Sequence, residues 1–230
     1  ISTDSSVSRT DAGSTVYEVD ISDVVIKDAG GNIVTGNYSF DKVASGTLLV
    51  NRRQITITAD SDTIVYDGRE HTLNGVTADN LVSGHVISTD VSVSGLDAGE
   101  YIYDVPADSI TITVNGREVT GNYEFSAVTS GKLVITAAGG LAIDVKDTSK
   151  VYDGTALTAE EADFTVAGLL QEDHHVVLTV EGEITNVGAP VAIQVLGYRI
   201  LDGEGHDVTS SYGQAVITAG SLSIEKADVS

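Results

Sequence analysis

Two identical tetrapeptides, Val65-Tyr66-Asp67-Gly68 and Val151-Tyr152-Asp153-Gly154, stand 86 residues apart and set a phenol beside a carboxylate. Such a pair offers an acid and a base, a corner of oxygen ligands for a cation, or a strand running into a tight turn. Proton transfer or nucleophilic attack needs a partner held at a defined separation. No histidine, second carboxylate or hydroxyl stands at a fixed spacing from both copies. The turn needs nothing further, because glycine takes positive φ without steric cost and aspartate bonds nearby backbone. Tyr66, Asp67, Gly68, Tyr152, Asp153 and Gly154 are therefore expected to mark the fold.

The other candidates for chemistry are histidines, acidic loops and lysines. His71, His85, His174, His175 and His206 show no H-x-H or H-x-x-x-H spacing, and His174 and His175 would face opposite sides of a strand, so no zinc site is expected. Calcium ligands are offered by Asp60 and Asp62 in "DSD", by Glu172 with Asp173, and by Asp202, Glu204 and Asp207 in "DGEGHD". None follows the twelve-residue calcium loop with its terminal glutamate, and solvated acidic loops are the alternative. Lys42, Lys132 and Lys226 could seed a lysine–asparagine crosslink, but Thr47 and Ser221 replace Lys132 in the matching positions, so that bond is no property of the repeat. No G-x-S-x-G, H-E-x-x-H, Walker or dinucleotide-binding pattern is present, so neither catalytic residues nor a cofactor is expected.

What must position these residues is a repeat. "GNYSF" at Gly36 to Phe40 returns as "GNYEF" at Gly121 to Phe125, and "SGTLLV" at Ser45 to Val50 returns as "SGKLVI" at Ser130 to Ile135 and "AGSLSI" at Ala219 to Ile224. Asp11-Ala12-Gly13 matches Asp97-Ala98-Gly99 and, more weakly, Asn186-Val187-Gly188. Three copies follow: residues 1–53, 54–140 and 141–230. Ile1-Ser2-Thr3-Asp4 matches Ile87-Ser88-Thr89-Asp90, so the first copy is expected to be the C-terminal half of a module and the others complete ones. Tyr38, Tyr123 and Tyr212 recur at one position, where an aromatic core anchor is expected.

Within each copy the period is two. "ITIT" at Ile55 to Thr58, "VSVS" at Val91 to Ser94 and "ITITV" at Ile110 to Val114 alternate apolar and hydroxyl side chains, the pattern of half-buried strands. Asn115-Gly116 predicts a two-residue hairpin turn, with longer glycine turns at Asp28 to Asn32 and Asp202 to Asp207 in the same place. Only Thr158 to Leu169 reads as helical, for one turn at most. Apolar residues make up 41% of the chain but aromatic ones only 5%, consistent with β-structure built from branched residues. The expected class is all-β: small β-sandwich (Ig-like) or β-grasp-like modules in an elongated array.

Acidic residues outnumber basic ones 34 to 12, for a net charge of -22, which repels phosphate backbones and anionic lipid headgroups. Neither nucleic acid nor insertion of this segment into a membrane is expected. The copies carry 7 acidic against 5 basic residues, 12 against 3 and 15 against 4, so acidity grows toward the C-terminus. Cysteine is absent, which excludes disulfides and thiolate sites.

The order "VYDG", then "DAG" or "NVG", then a hairpin into "VTGNY" (Val119 to Tyr123) or "VTSSY" (Val208 to Tyr212), then "SGKLVI", resembles the YDG-type and MBG-like tandem repeats of large bacterial surface and adhesin-like proteins. The resemblance covers copies two and three and the first copy from its middle onward. Arg69 stands where Thr155 shows the threonine usual in that family. The resemblance implies an extracellular, surface-attached stalk with no catalytic residues, whose partners would be host glycan or protein or other copies of the same surface protein. A binding module and an accessory region of a large secreted glycosidase are the alternative functions.

Overall fold

The alternation of branched apolar and hydroxyl residues becomes the buried and outer faces of strands. In the computed structural model, which describes residues 1–228, Ile55, Ile57 and Ala59 are buried while Gln54 and Thr58 are exposed. Leu133 with Ile135, and Leu141 with Ile143 and Val145, repeat that pattern. The chain is all-β, with strands making up 51% of it; among the described residues the only helical pieces are single 3-10 turns. Among the described residues the strands form ten small sheets of two or three strands.

Each complete copy is organised by two parallel pairings between its early and its late strands. In the second copy Arg53–Ala59 runs parallel to Tyr123–Thr129, and Asp62–Val65 runs parallel to Gly131–Thr136. In the third, Ala138–Val145 pairs with Tyr212–Thr218 and Thr148–Val151 with Ser221–Glu225 in the same sense. Both early–late pairs are interrupted where "DSD" meets "SG", or "KDT" meets "AG". Ser61 Oγ accepts the Lys132 N–H at 3.1 Å, and Asp147 Oδ1 accepts the Ser221 N–H at 2.8 Å. A Cβ on Gly220 would lie 2.5 Å from the Lys146 carbonyl oxygen, so glycine there permits the backbones to approach.

The chain divides into two compact units, and the division differs from that of the sequence copies. The first unit comprises residues 1–60, 74–91 and 104–130; the second comprises 61–73, 92–103 and the chain from 131 onward. The first therefore joins copy one to part of copy two. It contains the antiparallel pair Gly13–Tyr17 with Gly46–Val50, and Ile110–Val114 between Val86–Thr89 and Arg117–Glu118. Its buried residues include Ile55, Ile57, Ile110, Ile112, Val119 and Tyr123. The second unit joins the rest of copy two to copy three. One of its cores gathers Tyr66, Leu133, Ile135, Leu141, Ile143, Val176, Ile200, Val208 and Tyr212; another gathers Val145, Leu157, Ile184, Ile193, Leu222 and Ile224.

The turn chemistry follows the sequence. Asn115 and Gly116 adopt φ of 48° and 78° and connect Val114 to its partner Arg117, the geometry of a two-residue hairpin. The segment with the helical pattern forms one 3-10 turn, Ala159–Glu161, between strands Leu157–Thr158 and Phe164–Ala167. Beside each glycine hairpin the same local network recurs three times. The 3-10 turns Thr35–Asn37, Thr120–Asn122 and Thr209–Ser211 open with a threonine whose Oγ1 accepts a strand N–H, from Ile26, Ile112 and Ile200 at 2.8, 2.9 and 2.8 Å. Thr209→Val keeps the shape and orphans the N–H of Ile200, which is fully buried. It should lower stability by about 1–3 kcal/mol, read as a drop in the urea midpoint with unchanged slope.

Candidate functional site

The residues that recur most plainly converge where one copy meets the next. Within the second unit, the Tyr66 ring of copy two packs edge-on against the Tyr212 ring of copy three, with centroids 5.5 Å apart. Tyr66 is 3% exposed. Gln171 Nε2 donates to the Asp67 carbonyl at 2.9 Å, and the Ala98 N–H donates to Ser211 Oγ at 3.0 Å. Ser211 Oγ in turn donates to Asp97 Oδ1 at 3.3 Å, so the "DAG" of copy two is read by the 3-10 turn of copy three.

Within the first unit the same contact joins copies one and two. The Ala12 N–H donates to Asn122 Oδ1 at 2.6 Å, and Asn122 Nδ2 donates to Asp11 Oδ1 at 2.7 Å. Arg117 adds an ion pair to Asp11 at 3.1 Å. Asn122 first and Arg117 second hold the Asp11 carboxyl below its usual range.

Each junction also holds a tyrosine–histidine pair. Tyr123 Oη lies 2.6 Å from His85 Nδ1 and accepts the Val82 N–H at 3.3 Å; Tyr212 Oη lies 2.8 Å from His174 Nδ1 and accepts the Leu170 N–H at 3.1 Å. Each phenol oxygen thus accepts a backbone N–H and shares a hydrogen bond with Nδ1 of the imidazole. This is positioning geometry: the phenol bridges backbone to imidazole.

The landmarks divide into buried and open ones. Tyr123 and Tyr212 are 4% and 5% exposed, as expected of core anchors, whereas Tyr38 at the same position is 57% exposed. Tyr152, the counterpart of Tyr66, is 43% exposed. The core expectation therefore fails at Tyr38, and Tyr152 is likewise uncovered, whereas Tyr123 and Tyr212 are held by His85 with Val82 and by His174 with Leu170. Gly68 and Gly154 have φ of 75° and 84°, and the aspartates cap the turns. Asp67 Oδ1 accepts the Arg69 N–H at 3.0 Å, and Asp153 Oδ1 accepts the Thr155 N–H at 2.9 Å.

An open cleft lies at each junction, and the two have unlike linings. The one in the second unit, about 460 Å³, is edged by Asp97, Asp173, Asp202 and Glu204 with His174 and His206. The one in the first, about 350 Å³, sets Asp11 and His85 among Arg53 and Arg117. Of the calcium candidates, Asp202 Oδ1 accepts the N–H groups of Glu204 and His206 at 2.9 and 2.8 Å, and Asp207 Oδ1 accepts the Thr209 N–H at 3.0 Å. Asp60 and Asp62 flank the strand break at Ser61, and Asp62 Oδ1 accepts the Thr63 N–H at 2.8 Å. Among the described residues no three or more of His, Asp and Glu assemble into a metal-ligating group. Lys132 is half-exposed and paired with Glu100 at 3.0 Å, rather than buried against an asparagine.

Local spacing does not point to the tyrosine–histidine pairs. The signal that marks them is an identical separation of 38 residues, His85 to Tyr123 and His174 to Tyr212. Compared with known protein families and with curated proteins, the chain matches none.

Two titrations test the junction and the turn. Burial, then the proximity of Tyr212, Asp97, Asp202 and Asp173, pushes Tyr66 up to about 12. Its neutral form is favoured by folding, so the contribution is complete below the ordinary tyrosine pKa and is lost as pH rises toward 12. Tyr66→Phe should flatten the fall of melting temperature over that range. Asp153 is lowered to about 2, first by the Thr155 N–H and hydroxyl, then by Lys150. The contribution of this carboxylate is present above the ordinary aspartate range and fades as pH falls toward 2. In a carboxyl NMR titration, Thr155→Ala should move the Asp153 midpoint upward but not fully to the unperturbed value, since the backbone donor remains.

Proposed function

We propose that the chain is a non-catalytic repeat region, a stalk or spacer of a bacterial cell-surface adhesin-like protein that projects a functional head from the cell. The observation that carries this reading is the destination of the recurring residues. Tyr66, Asp97, Ala98, Tyr212 and their counterparts Asp11, Ala12 and Tyr123 are spent on joining one copy to the next or on shaping that joint. A repeat selected for binding would keep its cleft chemistry, whereas here the frame is kept and the lining changes from arginines to carboxylates. That contrast weighs against the binding-module alternative and gives no support to a glycosidase accessory role.

Parallel pairing of an early with a late strand in both complete copies favours β-grasp-like modules over the antiparallel sheets of an Ig-like sandwich. Such modules, joined in series, make an elongated array displayed outside the cell. Small-angle scattering tests this arrangement. A compact globule of this length has a radius of gyration of roughly 17 Å; the array predicts a value of about 25–30 Å and a maximum dimension of about 75–100 Å. A value near that of the globule would sink the spacer reading, and saturable binding on a glycan array that is lost on exchanging the hairpin loops would favour the binding module.

A further inference from the structure

The cleft of the second unit holds a buried polar group that nothing in the fold satisfies. Tyr66 is 3% exposed, and among the described residues its hydroxyl makes no hydrogen bond. No side-chain oxygen or nitrogen sealed from solvent lacks a partner among those residues, so the Tyr66 oxygen keeps an opening, and the cleft is the opening that Tyr66 lines. Asp97, Asp202 and Asp173 at the rim act on the phenol, which places its oxygen on their side of the ring. A hydroxyl taken from water without a replacement partner costs free energy, and a ligand that reaches it restores the bond. Every residue that lines this cleft belongs to the second unit.

The rim defines what such a ligand carries. Asp202 is engaged within its own loop, with Oδ1 accepting the N–H groups of Glu204 and His206 and Oδ2 3.1 Å from His206 Nδ1. Asp97 uses Oδ1 on Ser211. Its Oδ2, the Asp173 carboxylate and Glu204, 3.7 Å from His206, remain to accept, and among the described residues no lysine or arginine lines the cleft. Gly203 leaves room for Asp173, since a Cβ there would lie 2.6 Å from Asp173 Oδ2. Among the described residues no three carboxylates or imidazoles assemble round one metal ion, so these acceptors suit a charge spread over several N–H donors. Guanidinium has that form, with five donors in one plane and no acceptor, whereas an ammonium is a compact point charge. Leu96 and Val208 beside Tyr66 give an aliphatic stem an apolar wall. We propose that this cleft binds an alkylguanidinium group, free or as an arginine side chain, with Tyr66 Oη, Asp97, Asp173 and Glu204 as its acceptors. The cleft of the first unit, lined by Arg53 and Arg117, does not share the site, which stands independently of the spacer reading.

The probe is butylguanidinium, titrated into the 230-residue chain at low salt and about pH 8, where histidine is largely neutral, and followed by amide NMR. Its neutral isostere, butylurea, is the control. The expected result is saturable binding of butylguanidinium at least about tenfold tighter than that of butylurea, the scale of one charge-assisted hydrogen bond. Shifts should be confined to the lining of this cleft, at Gly68, Asp97, Asp173 and Gly203. Tyr66→Phe keeps the ring and removes the hydroxyl, so binding should fall about three- to tenfold while the melting temperature at neutral pH holds. Asp173→Asn with Glu204→Gln changes two exposed side chains; binding should fall at least about tenfold, and this pair decides if Tyr66→Phe alters the fold. A blocked Gly-Arg-Gly peptide that binds more tightly than butylguanidinium supports the proposal with arginine as the source, and one that binds less tightly supports it with a free guanidine. Equal binding of butylurea, shifts outside the cleft, absence of saturation, or tighter binding of calcium at the same residues overturns it.

Discussion

The parallel pairing of early and late strands is the constraint on which the rest of the structure depends. Gln54 meets Glu124 across 70 residues, and Thr136 meets Ile64 across 72. Closing loops of that length costs entropy before any contact rewards it, and a parallel pair needs a long crossover in any topology. The intervening residues must therefore form their own small sheets and turns while the two ends are held together. Buried branched aliphatic side chains such as Ile55, Ile57, Leu133 and Ile135 hold them.

From that constraint the junctions follow. Each late strand begins at a 3-10 turn whose threonine caps a neighbouring strand and whose tyrosine begins the pairing. The same turn offers Asn122 or Ser211 outward to the "DAG" of the copy before it. One short stretch thus closes its own copy and receives the preceding one, which is why "VTGNY" and "VTSSY" stay recognisable while the hairpin loops beside them change length. The exposed tyrosines show the converse. Tyr38 and Tyr152 have the right residue in the right turn and remain open, whereas Tyr123 and Tyr212 are packed against residues 38 positions earlier in the chain.

The clefts show how a shared backbone accommodates different electrostatics. Arg117 pairs with Asp11 in one junction; His206 stands at the matching place in the other, 3.1 Å from Asp202 in its own loop and drawn above its usual pKa chiefly by that carboxylate. The charged groups that differ between the linings stand outside the recurring frame, since the tyrosine–histidine pair and the backbone contacts recur in both. Exposed ion pairs contribute little on their own, so these positions are free to drift in charge, consistent with the rising acidity of successive copies.

Local patterns were enough to read the all-β class, the Asn115-Gly116 hairpin, the single turn after Thr158 and the aspartate-capped glycines at Gly68 and Gly154. Each depends on interactions within a few residues, where side-chain period and φ preference dominate. The repeat itself was legible, and with it the tyrosines that matter. What the tertiary structure alone decided was which of them are buried and what they touch. Tyr66 on Tyr212, Asp97 beside Ser211 and His174 on Tyr212 join residues remote along the chain, and no local propensity encodes such distances. The compact units likewise cut across the copies, because packing follows contact between neighbouring copies and not the point where the sequence begins to repeat.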